Sequence, residues 1–332
     1  MKKILAFRPK RSAVFDYRMS RPLTKLGAIF RKTLLRKNER IQLKELGKRL
    51  KKIGDIWYLK YLKDFHTADI IVTLKNETGA KLVMDIDDNI WQTPIGNIVR
   101  HSEGFAKYVS INTGLVECAD YVTVSTEPMR LALKTLNDNI AVLPNLIDPS
   151  DWKWKRKAHK KVRIGWIWSP THLPDMEEVR EALEEIYKKY QDQIEIVMFG
   201  AVQNLFTFPT ENVQGVYFKD YPKKLTELSL DISICPLSDN EFNRCKSNIK
   251  WLESTMAGAA VVASKVYPYE HSIEHGTTGY LAKNKNQWVR HISHLIENET
   301  KRLNLVANAR QVILDKYDSN KDTKWQEFFE KL

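Results

Sequence analysis

The sequence predicts an α/β protein of two doubly wound units, each a parallel sheet with helices on both faces. Three observations predict it. Short β-branched apolar runs alternate with longer segments of helical period, as strands buried on both faces and their crossover helices require. The alternation stops at Pro144-Asn145, crosses a polar, basic stretch from Asp151 to Lys161, and then restarts. The 332 residues, 43% hydrophobic and 28% charged, are enough for two cores without disulfide or metal staples.

In the first unit the expected strands are 4–7, 70–74, 81–84, 121–124 and 140–143; in the second they are 162–166, 194–199, 216–218, 232–235 and 260–263. Between them, 177–191 (EEVREALEEIYKKYQ) puts apolar residues at 179, 182, 183, 186 and 190, the stripe of a helix lying on a sheet, with Asp175 as its N-terminal cap or first-turn acid. Further helices are expected at 288–297 and 301–317. A last one at 322–332 carries Trp325, Phe328 and Phe329 on one face, which needs a folded surface to dock on. Residues 23–53 read as helical throughout, with Leu43, Leu46, Leu50 and Ile53 on one stripe.

The net charge of +12 is not evenly spread: residues 1–63 hold 20 Lys and Arg against 4 Asp and Glu, so the rest of the chain is net acidic. Around the leucine stripe, Lys44, Lys48, Arg49, Lys51 and Lys52 form a basic face. A solvated face is the default reading. The alternatives are two polyanions, an anionic bilayer and a nucleic-acid duplex bound through its phosphates. Three cysteines without paired spacing favour a reducing compartment over a zinc or dithiol site. The opening apolar run is too short for an export signal, and charges interrupt every stretch long enough to span a bilayer. The expectation is a cytoplasmic protein, or one peripheral on the inner face of a membrane.

The run from Phe242 to Gly258 (FNRCKSNIKWLESTMAG) is the most informative in the chain. A loop entering a helix offers unpaired N–H groups and a positive dipole end, so a phosphate binds there with Lys246 or Lys250 supplying charge, and Glu253 accepts from a ribose diol. A capped surface helix with solvated lysines is the competing reading. Asp85-Ile86-Asp87-Asp88-Asn89 follows a strand, where an α/β site places a metal or a general base; the bland reading is a loop whose carboxylates cap backbone N–H groups. In the loop after the first strand, Arg11 and Arg18 are candidates to neutralise a phosphate or an anionic acceptor.

The segment from Leu252 to Ser264, followed by Tyr269-Glu270 and by HGTTGYL from His275 to Leu281, resembles the donor-binding half of GT-B glycosyltransferases, specifically the large retaining family 4 group. Glu253 matches the second of that group's two glutamates; the position of the first holds Cys245. With Lys246-Ser247 beside it, the segment looks like a bacterial and phage-type subgroup with an FN-x-x-KS-N-x-K-x-x-E signature. Ala119 to Glu127 with Leu143-Pro144-Asn145, and Arg163 to Trp166 with Ser169-Pro170-Thr171-His172, are similar to the domain junction.

The resemblance implies a GT-B fold of two Rossmann-like domains facing a cleft: an acceptor domain over 1–155, a nucleotide-sugar domain over 156–318, and a final helix over 319–332 returning to the first. It implies retaining, metal-independent transfer with no cofactor beyond a UDP- or GDP-linked sugar. The implied donor residues are Gly165, Ser169, Thr171, His172, Arg244, Lys246, Ser247, Lys250 and Glu253. Asp87, Asp88, His101 and Lys246 are the implied catalytic residues. His172 also reads as a loop imidazole that merely caps Asp175. The acceptor is either a lipid-linked or cell-surface glycan, or a modified base in DNA, the latter placing a phage-encoded enzyme in the host cytoplasm. The competing class is a nucleotide- or polyanion-binding module that has kept the fold and lost the chemistry, for which Cys245 is the evidence.

Overall fold

The computed structural model describes residues 2–7, 15–31 and 42–332. Two all-parallel six-stranded sheets are built in succession. The first takes β1 (Ile4–Phe7), β2 (Ile29–Arg31), β3 (Ile56–Leu59), β4 (Lys81–Ile86), β5 (Tyr121–Val124) and β6 (Ile140–Val142) in the order β2-β1-β3-β4-β5-β6. The second takes β7 (Val162–Trp168), β8 (Ile194–Gly200), β9 (Glu211–Gln214), β10 (Ile232–Cys235), β11 (Ala260–Ser264) and β12 (Tyr280–Ala282) in the order β12-β11-β10-β7-β8-β9. In each sheet the order reverses once, between β1 and β3 and between β7 and β10. In doubly wound sheets ligands bind outside the carboxyl ends of the strands at that switch point.

Several expected elements move. Ile56 to Leu59, fully buried, form β3, a strand not read from the sequence. Residues 70–74 lie inside the helix Phe65–Thr78: the Asp64 side chain caps it by accepting from Thr67 N at 2.8 Å, and Gly79 ends it at φ 63°. The β-branched run imitates a strand, but the cap and the left-handed stop enclose a helix whose Ala68, Ile71 and Leu74 face the core. Residues 216–218 are irregular, and the strand lies earlier as β9.

The expected long basic helix is broken as well. The helix Arg21–Lys25 ends before Gly27 (φ 72°), Ile29–Arg31 pairs with β1 as the sheet edge, and a second helix runs from Leu43 to Ile53. Helix 177–191 begins at Arg180, and Asp175 does not cap it. Asp175 is buried, accepting from Ser238 N at 3.0 Å and Asn243 Nδ2 at 2.7 Å.

The last helix, Lys324–Lys331, lies on the first sheet: Trp325, Phe329 and Leu332 share a core with Ile4, Ala6, Phe15 and Tyr58. The strap leading to it is tied at Ile147, whose N–H donates to Tyr317 O and whose carbonyl accepts from Ser319 N, both at 2.8 Å.

Arg18 does not face a ligand. It is fully buried, with Nη2 2.5 Å from Asp85 Oδ1, its guanidinium over the Trp325 ring and another nitrogen on Leu143 O. Burial pushes the Asp85 carboxyl up, but Arg18 and then Lys60 outweigh it and hold the group below the usual range. This ion pair fixes the end of β4 and so the carboxylates that follow it. Arg11 lies outside the described residues.

Candidate active site

Two cavities meet in the cleft between the carboxyl ends of the sheets. One, of about 290 Å³, is lined mainly from the first domain by Lys60, Tyr61, Ile90, Thr93, Asn97, Val99, Phe105 and Tyr108. The other, of about 250 Å³, is lined mainly from the second by His172, Leu237, Ser247, Ile249, Lys250, Glu253 and Tyr269, with Tyr17, Ser125 and Asn145 from the first. Asp87, Asp88, Thr171 and Lys246 line both. The shared wall is where a group bound in one compartment reaches a group bound in the other.

The second compartment is built by the start of the helix Ile249–Met256 and by the loop after β7. Lys246 reaches across the cleft to Asp88 Oδ1 at 3.3 Å, with its ammonium 4.5 Å from the Phe242 ring centre. Glu253 is 2% exposed and accepts from Tyr17 Oη at 3.0 Å, Tyr221 Oη at 2.8 Å and Lys250 Nζ at 3.1 Å. Asn145 Nδ2 donates to Ser247 Oγ at 2.8 Å, while Asn145 Oδ1 and Ser125 Oγ are buried without a hydrogen-bond partner among the described residues. Such atoms suit a polar ligand.

His172 both lines this compartment and bonds Asp175 Oδ2 through Nδ1 at 2.8 Å, so the two readings of it are compatible. Burial lowers its pKa further than the Asp175 contact raises it, which favours the neutral imidazole with Nδ1–H on Asp175.

The first compartment combines rings with charge. Tyr61 and Tyr108 pack with centroids 5.8 Å apart, and Lys60 Nζ sits 2.7 Å from Asp87 Oδ1. Burial lifts the Asp87 carboxyl above its ordinary value against the pull of Lys60. Asp88, although burial works the other way, is held below its own by Lys246. Two adjacent carboxyls are thereby pushed apart, Asp87 upward and Asp88 downward, an arrangement suited to acid–base work on a hydroxyl.

Of the sequence candidates, Asp87, Asp88, Thr171, His172, Lys246, Ser247, Lys250 and Glu253 converge on the cleft. Others do not. Gly165 sits within β7, where a Cβ would come within 2.3 Å of Leu230 Cδ1, so it serves close packing. His101 is exposed, its ring bonded to the Ile95 carbonyl, and Arg244 is exposed on Asp239 at 2.7 Å. Ser169 bonds Thr171 Oγ1 at 2.7 Å and positions it without lining either cavity. Cys245 is buried in the core of the first domain, with Asn89 Nδ2 3.4 Å from its sulfur, and lines neither cavity.

The sequence reading missed Tyr17, Lys60, Tyr61, Tyr108 and Tyr221. Recognising β3 would have exposed Lys60 and Tyr61, which follow it at the switch point; nothing local marks Tyr17.

Two parallel Rossmann-like domains with a cleft between their carboxyl ends define the GT-B class, and this chain has that fold. Residues 175–312, within the second domain, match the family described as Glycosyl transferases group 1. Among solved structures, HepE of Anabaena in complex with UDP-glucose is similar over 100% of both chains, with a TM-score of 0.67 at 12% identity. A glycosyltransferase from Rickettsia africae is similar over 99% of this chain and 97% of its own, with a TM-score of 0.68 at 14% identity. Sucrose-phosphate synthase from Thermosynechococcus elongatus covers 99% and 98%, with a TM-score of 0.67 at 10% identity. At these identities the likeness is one of fold. No curated protein matches the chain by sequence.

Proposed function

We propose that the protein transfers a glycosyl group from a nucleotide sugar, UDP- or GDP-linked, to an acceptor hydroxyl, with retention and without a metal ion. The observation that carries this reading is the meeting of two compartments at Asp87, Asp88, Thr171 and Lys246. Glu253 takes the ribose diol, Lys246 and Lys250 balance the diphosphate in place of a cation, and Asp87 lies beside the acceptor hydroxyl. The family match over 175–312 supports the donor side, as does the UDP-glucose bound by the similar HepE.

Thermal shift against UDP, GDP, ADP and CMP tests it, since a ligand at a hundred times its Kd stabilises the native state by about 2.7 kcal/mol. A selective shift with UDP or GDP, and a product of unchanged anomeric configuration formed in EDTA, are expected. No shift with any nucleotide would leave only a binding module with a borrowed fold.

The acceptor in this reading is a lipid-linked glycan on an anionic membrane surface, and the enzyme works from the cytoplasmic side. The helix Leu43–Ile53 buries Leu46 and Leu50 and exposes Lys44, Lys48, Arg49 and Lys52, while Lys51 pairs with Asp55 at 3.2 Å. Duplex DNA with a modified base would suit that charge equally. The acceptor compartment favours the membrane: the loop carrying Thr93, Asn97 and Val99 also exposes Ile95 (72%) and Ile98 (51%), and Phe65 near Lys107 is half exposed. Apolar side chains there gain from a bilayer and nothing from phosphates.

No helix among the described residues is long and apolar enough to cross a membrane. The triple variant Lys44→Glu, Lys48→Glu, Lys52→Glu is expected to lose at least about a hundredfold in affinity for phosphatidylglycerol vesicles, at about 1 kcal/mol per cation. Unchanged vesicle binding, or wild-type preference for duplex, would overturn the membrane reading.

A further inference from the structure

Glu253 is held from both domains. Oε2 accepts Tyr221 Oη and Lys250 Nζ from its own domain, and Oε1 accepts Tyr17 Oη from the other. A carboxylate oxygen offers two lone pairs, so Oε2 is filled and Oε1 is the atom with room for a ligand. Tyr17 stands on it.

This tyrosine is firmly seated. It is 5% exposed and packs into the core of the second domain, its ring edge-on to Phe218 at 4.9 Å, with the Arg21 guanidinium 4.8 Å from the Phe218 ring centre. Burial and then the Glu253 charge hold its hydroxyl well above the usual pKa, so it carries its proton and donates.

Resting on the reading of Glu253 as the ribose carboxylate, we infer that Tyr17 is a latch. With Oε2 filled, the two hydroxyls of the donor ribose need both acceptor positions of Oε1, and the Tyr17 hydroxyl holds one of them, so full engagement of the diol and this interdomain contact exclude each other. Two features fit that role. Tyr17 also lines a separate cavity of about 240 Å³ with Arg21, Leu146 and Trp325, which gives the ring somewhere to go when it leaves Glu253. The next residue, Arg18, is fixed on Asp85 at the end of β4, two positions before Asp87. Release of Tyr17 is therefore tied through one residue to the acidic loop of the acceptor compartment.

The test is calorimetric titration of UDP, with GDP in parallel, into the wild type, Tyr17→Phe and Glu253→Ala. Tyr17→Phe keeps the ring packing and removes the competing donor, so it is expected to bind the nucleotide about tenfold more tightly, the scale of one hydrogen bond to a charged group. Glu253→Ala is expected to bind far more weakly. Weakened binding by Glu253→Ala without tightening by Tyr17→Phe would overturn the latch and leave the ribose assignment standing; wild-type binding by Glu253→Ala would overturn both. Hydrogen exchange on the wild type gives a readout without mutation. Nucleotide is expected to accelerate exchange over residues 15–22, and unchanged or slower exchange there would overturn the latch.

Discussion

Glu253→Ala is expected to raise the Kd for the donor nucleotide by about a hundredfold or more, the largest single effect on binding in the molecule. Each hydrogen bond from a ribose hydroxyl to a buried carboxylate contributes about 1.5–3 kcal/mol, and the vicinal diol makes two of them. Removing the carboxylate also strands its protein partners: Tyr17 Oη and Tyr221 Oη lose their acceptor in a site where Glu253 is 2% exposed, while Lys250 Nζ keeps Tyr221 Oη at 3.4 Å. A buried donor left unpaired costs about 1–3 kcal/mol, so the variant is also expected to melt at lower temperature. Glu253→Gln separates the two effects, because it keeps the shape and an acceptor oxygen while losing the charge. If the carboxylate binds ribose, Gln restores much of the melting temperature but little of the affinity, measured by calorimetry on both variants. Wild-type affinity in Glu253→Ala would remove the central site assignment.

The compartment wall from the second domain was legible in the sequence because its residues are contiguous. Lys246, Ser247, Lys250 and Glu253 span one loop and the first turns of one helix, so their spacing alone sets their common face. The first compartment is assembled from the ends of β3 and β4 and from the helix Phe105–Cys118, which only the sheet order brings together. Missing β3 therefore hid Lys60 and Tyr61 as well as a strand. The β3 run is four residues with two aromatics, bracketed by Asp55 and Lys60, and its hydrophobic stretch is shorter than that of the helix Phe65–Thr78, which the β-branched Ile70, Ile71 and Val72 disguise. Arg18 was misplaced for a related reason. A basic residue near a strand end reads as ligand-binding, but whether it faces the cleft or an internal carboxylate depends on partners far away in sequence, here Asp85 for Arg18. Cys245 shows the same limit within a motif: its neighbour Lys246 lines both cavities while its own sulfur points to Asn89 in the other domain.

Lys246→Ala is expected to lower kcat by about 10²–10³, in line with removal of one preorganised group that stabilises charge in a transition state. The argument rests on where the ammonium can go. At 3.3 Å from Asp88 Oδ1 and 4.5 Å from the Phe242 ring centre, Lys246 sits on the wall shared by the two compartments, which the proposed reaction assigns to the departing diphosphate. In the proposed reaction Asp88 competes for it in the ground state, and the charge growing on the leaving oxygen as the glycosidic bond breaks would draw it away, so its contribution would be larger in the transition state than in the bound donor. That difference predicts a fall in kcat with a much smaller rise in KM, the reverse of the pattern expected for Glu253→Ala. It also predicts that Asp88→Asn, which frees the ammonium, costs less than Lys246→Ala and does not mimic it. Ethylammonium ions added to Lys246→Ala supply the missing charge without the tether and are expected to restore part of kcat. A kcat within threefold of wild type in Lys246→Ala would exclude this lysine from leaving-group stabilisation and make the Asp88 pair a contact that only holds the domains together.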